Sequence, residues 1–440
     1  MLRKLFSSQL RINMASGVVV TVINAVAMMA AYPVYLHFLG YEKYGVWLVL
    51  ATVLNCGAYF GNLGVSAAIT KFVAEGYGRG DVEFIEKHLS NAFIILFVVG
   101  LVSLAVIGLF SHQIVDLFRL TDDNRTVGLQ LLPYVGALTL YLLMTHVLNA
   151  AMTGLGRLDI SNYIQSAARV LGVLVTATLL AVGLGVASLV VGCFVTYLAI
   201  HLATVVFIGR MMSIRLFRLD RLSLGCIGVL LKFGGQFMSG QLFQILIHPF
   251  NKLMLSRYVG VASVPFYEIA YNCAMMLRLF IETGLRALTP EISRLSANRT
   301  IEVTERIKLL NRKAMILVLL GALPVYIIAI AMAPVFLTAW LRGSYDELIA
   351  PAFRVMAIGS FLSLLGVPAD NTVLGLGAVR HCMLARAGQA IVNVAVVIAV
   401  MLLARKSLDR SIAYAVTAGW LFWSLYLIRA NRASVCFVKV

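Results

Sequence analysis

The amino-acid sequence predicts an all-α membrane protein of about twelve transmembrane helices, arranged as two similar six-helix halves. Three observations predict it. The 440 residues are 61% hydrophobic and only 12% charged, with mean hydropathy +0.93, whereas a soluble domain is about half apolar and about a quarter charged. The apolar residues fall in runs long enough to span lipid, which takes about 20 residues per helix. Landmarks in the first half recur in the second at an almost constant offset of 220 residues.

In chain order, the apolar spans lie near 13–38, 44–71, 88–111, 128–153, 159–182, 185–208, 228–256, 262–286, 312–334, 350–375, 381–404 and 411–430. Several exceed a minimal span, which predicts tilt or extension beyond the bilayer. The segment from Met1 to Arg11 is basic, but the apolar run after it is longer than a signal peptide's, so it is expected to remain as the first helix. With the N-terminus placed in the cytoplasm, cytoplasmic segments hold about 20 Lys and Arg against about 8 on the other side. That asymmetry predicts both termini inside. The domain reading is an N-terminal lobe at 1–210, a cytoplasmic linker at 211–227 and a C-terminal lobe at 228–440.

The net charge of +17 would point to nucleic acid in a soluble protein. Here Lys and Arg gather in the cytoplasmic loops, so no nucleic-acid partner is expected and the bilayer is the first partner. The six cysteines are scattered without a C-x-x-C pair, and the seven histidines lack H-E-x-x-H spacing. They read as packing and hydrogen-bonding residues, with no metal expected. No G-x-S-x-G or P-loop occurs, and Gly154-Leu155-Gly156 is too short for a dinucleotide fingerprint. No cofactor and no catalytic residue is therefore expected. The loops are short, which argues against an enzyme that carries its chemistry on a large outer loop.

The repeat matches Phe38-Leu39-Gly40 with Tyr258-Val259-Gly260, Gly64 with Gly284, Asn24 with Gln244, and Asn91 with Asn311. With one residue inserted, Gly154-Leu155-Gly156 meets Gly375-Leu376-Gly377. The offset equals six spans, an even number, so both copies are expected to insert in the same orientation. Transporters built from such parallel halves bind substrate at the repeat interface and alternate access by rocking.

The segments Pro33-Val34-Tyr35-Leu36-His37-Phe38-Leu39-Gly40, Tyr44-Gly45-Val46-Trp47 and Asn62-Leu63-Gly64-Val65 resemble the opening helices of bacterial polysaccharide flippases. The Gly154-Leu155-Gly156-Arg157 turn and the 6+6 layout are similar too. These are the Wzx-type O-antigen and exopolysaccharide translocases of the multidrug/oligosaccharidyl-lipid/polysaccharide (MOP) exporter superfamily. The resemblance covers nearly the whole chain through diffuse motifs. It implies a MATE-like fold and export of undecaprenyl-pyrophosphate-linked oligosaccharide across the bacterial inner membrane. H+ or Na+ stand as coupling ions, and a polysaccharide polymerase as a partner.

An ionisable residue deep in a span costs several kcal/mol, about 2.5–3.5 on insertion scales, and tends to face a cavity or a partner. Eight Lys or Arg and four acids fall within or at the ends of the spans, a positive surplus. On span eight, Glu268, Asn272, Arg278, Glu282 and Arg286 share about a third of the helix circumference at 100° per residue. They read either as a self-neutralising ladder packed on a neighbour or as a cavity lining in which a substrate anion could exchange partners with Glu282. Span seven carries Gln241, Gln244, His248 and Lys252 on one face, with a bend expected at Pro249. Those groups suit sugar hydroxyls or phosphate, and equally suit helix–helix hydrogen bonding. Asn162, Gln165 and Arg169 on span five match Arg386, Gln389 and Asn393 on span eleven. Asn62 belongs to a further stripe on span two, and Asp370 is the coupling-ion candidate of the C-terminal half.

Arg278 and Arg169 are the expected phosphate-side residues, with Arg286 and Lys252 next, because guanidinium binds phosphate bidentately. A cation-coupled multidrug exporter is the first alternative, disfavoured by the sign of the surplus charge. A membrane glycan polymerase or acyltransferase is the second, and no catalytic constellation supports it.

Overall fold

The computed structural model describes residues 8–212, 217–239, 242–285, 292, 301–376, 378–403 and 408–437. Helices account for the fold, and no strand occurs among the described residues. Nine helical stretches there are long and apolar enough to cross a membrane. One of them, Val19–Asn62, holds two of the predicted spans. Leu109, Leu320 and Leu402 keep most of their surface exposed; apolar surface of that extent needs lipid to cover it.

The chain groups into two compact units, Met1–Gly240 and Gln241–Val440. The first contains α1 (Ser8–Asn62), α2 (Val65–Arg79), α3 (Val82–Leu109), α4 (Ser111–Leu117), α5 (Asp122–Gly154), α6 (Leu158–Ala181), α7 (Ala187–Met211) and α8 (Leu224–Ser239). In α1 the helix is interrupted at Gly40, whose φ of 67° and ψ of 177° lie outside helical space. Glycine adopts that backbone without a Cβ clash. Its repeat counterpart, Gly260, also has positive φ, at 128°, and separates two helices of the second unit. The repeat landmark is thus a shared backbone event.

A second break, at Leu63 and Gly64, ends α1 and starts α2. Asn62 bridges it: its side-chain oxygen accepts from the Ser66 amide at 3.0 Å, and its Nδ2 donates to Ser66 Oγ at 2.9 Å. Gly64, at φ 72°, touches Gly234 of α8 backbone to backbone, so a Cβ on Gly64 would collide with the Gly234 carbonyl. This contact explains why α8 packs on α2 and α3 and groups with the first unit, although the apolar pattern puts it in the C-terminal lobe beginning at 228. The predicted span 228–256 corresponds to two helices, α8 and the next one in chain order.

Gly64→Val is expected to lower stability by about 3 kcal/mol, from left-handed strain plus overpacking. Gly40→Ala, with no atom within 4 Å of an added Cβ, should cost only the strain of a backbone that glycine alone adopts readily, about 2 kcal/mol. Thermal unfolding of the detergent-purified variants checks the order, and equal losses would refute the close-approach account.

The segment before α8 is pinned to α3. The Arg218 guanidinium pairs with Asp220 at 2.6 Å and Glu86 at 3.3 Å, and Arg221 pairs with Glu83. Asn91 donates to the Arg221 carbonyl at 3.0 Å and accepts from the Ser223 amide at 2.9 Å. The hydrogen bond from Arg218 holds the exposed Asp220 carboxyl below the usual aspartate range.

The second unit contains α9 (Leu242–Tyr258), α10 (Val264–Leu285), α11 (Ile301–Leu317), α12 (Leu323–Leu341), α13 (Ile349–Leu364), α14 (Val367–Gly375), α15 (Val379–Leu403) and α16 (Leu408–Phe437). Here α16 is the axis. It packs on α13, α14 and α15, and glycines let it come close. A Cβ on Gly359 would lie 2.5 Å from Thr417 Oγ1, and one on Gly366 2.8 Å from Ser424 Cα. Small residues at the interface are the usual means of close helix packing in lipid.

Candidate functional site

Five helices of the second unit enclose a cavity of about 300 Å³. Each contributes residues at helical spacing, so one face of each helix turns inward. α10 supplies Tyr271, Met275, Arg278, Leu279 and Glu282, and α16 supplies Val416, Gly419, Trp420 and Trp423. Arg386, Gln389 and Asn393 come from α15, Asp370 and Asn371 from α14, and Gln244 and His248 from α9.

The charged groups in this cavity are balanced. Arg278 Nε donates to Glu282 Oε2 at 3.1 Å, and its guanidinium lies 5.2 Å over the Trp423 ring. Arg386 lies within electrostatic reach of Asp370, which also hydrogen-bonds Cys382. Two guanidiniums therefore face two carboxylates. The positive surplus counted along the sequence is not concentrated here.

The rest of the lining is aromatic and amide. Tyr271 stacks on Trp420 at 5.7 Å and meets the His248 ring edge-on at 3.9 Å. His248 Nδ1 and the Tyr267 hydroxyl share a hydrogen bond of 2.9 Å, and Asn251 donates to the same hydroxyl at 3.2 Å. Lys252 and Glu268 form an ion pair of 2.8 Å between α9 and α10, with side chains only 11% and 19% exposed; Asn272 hydrogen-bonds that glutamate. Among the described residues, both amide atoms of Asn393 are buried without a hydrogen-bond partner, as is Asp370 Oδ1.

Of the residues singled out in the sequence, Gln244, His248, Arg278, Glu282, Asp370 and Arg386 come together around this cavity. Lys252, Glu268 and Asn272 form the adjoining polar cluster. Gln241 and Arg286 lie outside the described residues. Arg169 and Asn62 belong to the first unit. Arg169 is exposed on α6 and forms no ion pair among the described residues. Asn62 is engaged in bridging α1 to α2 and reaches His146 Nδ1 at 3.2 Å, the helix–helix role that polar residues serve in membranes.

Tyr271, Trp420 and Trp423 escaped sequence reasoning. The signal was present: tryptophan favours the membrane interfaces, so two tryptophans three residues apart within span twelve are out of place unless a cavity receives them.

Residues 10–296 match the family described as polysaccharide biosynthesis protein. Comparison with the curated proteins gives no match. Among solved structures, the chain is similar to an inward-facing multidrug resistance MATE family transporter of the MOP superfamily, with TM-score 0.73, 16% identity, and coverage of 99% of this chain and 96% of that one. It is similar to a MOP superfamily transporter from Pyrococcus furiosus, with TM-score 0.63, 15% identity and coverage of 97% and 96%. A Vibrio cholerae MATE transporter matches with TM-score 0.65, 13% identity and 97% of each chain. At such identities these likenesses establish the fold, a MATE-like all-α membrane fold. The match to residues 10–296, most of the chain, shows more: this protein is a member of the polysaccharide biosynthesis protein family.

Proposed function

We propose that the chain is a flippase that moves undecaprenyl-pyrophosphate-linked oligosaccharide across the bacterial inner membrane by alternating access, with both termini cytoplasmic. The observation that carries this reading is the cavity of the second unit, a polar pocket of paired charges, amides and aromatic rings within an apolar helical unit. Burying so many polar groups in a membrane protein is costly and marks a transport pathway. The lipid tail stays in the bilayer, so only the headgroup needs polar surroundings. Arg169, an exposed cation of the first unit, is the proposed contact for pyrophosphate. Asp370 is the proposed coupling group for H+ or Na+, since one carboxylate oxygen has no hydrogen-bond partner. A polysaccharide polymerase is the partner this reading implies. No covalent bond changes in such a cycle, so no catalytic residue is assigned.

A cation-coupled multidrug exporter is the second reading, favoured by the two carboxylates and three aromatic rings of the cavity, which suit organic cations. Against it, Glu282 is already held by Arg278. Proteoliposomes containing the purified chain decide between the two. Transfer of a fluorescent polyprenyl-pyrophosphate glycan to the opposite leaflet, scored by a membrane-impermeant reagent, is the expected result. Transport of a cationic dye with no transfer of the glycan lipid would overturn the flippase assignment.

A further inference from the structure

We infer that the cavity of the second unit is a subsite for an uncharged sugar ring, read by Asn393, and not the seat of the pyrophosphate. This rests on the flippase reading and assigns the cavity one part of the substrate.

Charge is the first argument. Arg278 is held by Glu282 at 3.1 Å, and Arg386 shares the lining with the Asp370 carboxyl group. Among the described residues the lining sets two guanidiniums against two carboxyl groups, so a pyrophosphate, with at least two negative charges, would meet no surplus of positive charge there. Drawing Arg278 onto a phosphate would cost Glu282 its 3.1 Å ion pair. An uncharged ligand carries no such penalty.

The lining is the second argument. Tyr271, Trp420 and Trp423 bring three aromatic side chains to the lining, apolar surface that suits the C–H groups of a pyranose. Gln244 and Gln389 add amides around them. These are groups that fix a neutral polyol without supplying net charge.

Asn393 is the third argument. It is 1% exposed, it lines the cavity, and neither its amide nitrogen nor its amide oxygen has a hydrogen-bond partner among the described residues. Buried polar atoms almost always have partners, and each exception calls for an explanation. A primary amide with both atoms open matches a ligand that presents an acceptor and a donor side by side. A vicinal diol and an acetamido group both do so.

The experiment uses the full chain in detergent and follows its tryptophan fluorescence, since Trp420 and Trp423 line the cavity. The titrants are glucose, N-acetylglucosamine and sodium pyrophosphate. A saturable change with either sugar is expected, and none with pyrophosphate. Preference for N-acetylglucosamine assigns the acetamido group, and preference for glucose the diol. Asn393→Leu keeps the volume and removes both polar atoms. It should weaken sugar binding about tenfold or more and leave the melting temperature equal or higher, because an unpartnered buried amide is costly. A merely structural asparagine would instead lower the melting temperature on substitution. Two results would overturn the inference: pyrophosphate competing with the sugar, or unchanged sugar binding by a folded Asn393→Leu protein. Binding is read on purified protein and lipid transfer in proteoliposomes. Loss of transfer with sugar binding intact would therefore count against the flippase reading alone, and normal transfer without sugar binding against this inference alone.

Discussion

Arg278→Ala should abolish surface polysaccharide in cells that depend on this chain, while the protein still inserts at the parental level. The guanidinium does two things at once. It neutralises Glu282 at 3.1 Å and covers the Trp423 ring at 5.2 Å. Truncation to alanine takes the guanidinium partner from the part-buried Glu282 carboxylate and uncovers the indole. Breaking one side of a buried pair costs about 3–5 kcal/mol, a factor of at least about 100 in any equilibrium that passes through the occupied cavity. Arg278→Lys keeps the charge but loses the planar fork that both lies over an indole and aligns with a carboxylate, so an intermediate phenotype is expected. Surface polysaccharide and membrane-fraction abundance are measured together. Normal polysaccharide from stably inserted Arg278→Ala protein would remove the cavity from the transport pathway.

The second large effect is on stability. Lys252→Met should lower the unfolding free energy of the detergent-purified protein by about 3–5 kcal/mol, because it strands the Glu268 carboxylate between α9 and α10. Glu268→Gln in the same chain should restore most of the loss. A buried pair replaced on both sides by neutral groups is often no less stable than the original, and the difference between the single and double variants isolates the coupling. The readout is the melting temperature of the two single variants and the double. Additive losses would mean that the 2.8 Å contact contributes nothing. This pair also separates two readings of the span-seven stripe. Lys252 is paired with Glu268, and the pair ties α9 to α10.

Much of the cavity was legible along the chain. Gln244 and His248 on α9, Arg278 and Glu282 on α10, and Arg386 on α15 are polar groups in apolar spans at helical spacing. Their cost in lipid singles them out by position and residue type alone. What the spacing of 278 and 282 could not settle was whether the pair serves a ligand or only itself. The aromatic lining was less legible, because tryptophan and tyrosine are common in membrane helices for reasons unrelated to ligands. Asn393 stood in the sequence as one member of a polar stripe. Its isolation from every hydrogen-bond partner is a property of neighbours on other helices. Asn62, by contrast, looked like a lining residue in the sequence and proves to be committed to the α1–α2 break.

The sequence by itself determined that this is a membrane protein of repeated helical halves. Apolar composition, span length and the 220-residue offset are one-dimensional quantities, and lipid translates them directly into helices because every backbone amide must be satisfied within the segment. It also marked Gly40 and Gly260 as matched landmarks of the repeat, and in the fold both hold positive φ. Only the tertiary structure decided that α8 belongs with the first unit, because the contact of Gly64 with Gly234 joins residues 170 apart in the chain. Only the tertiary structure decided the sign of the cavity. A sum of charges over spans counts every cation, whereas a cavity feels only those whose partners do not already cancel them. Arg278 is paired with Glu282, and Arg386 shares the lining with Asp370, so the charges of the described residues offset one another in a polar, aromatic pocket.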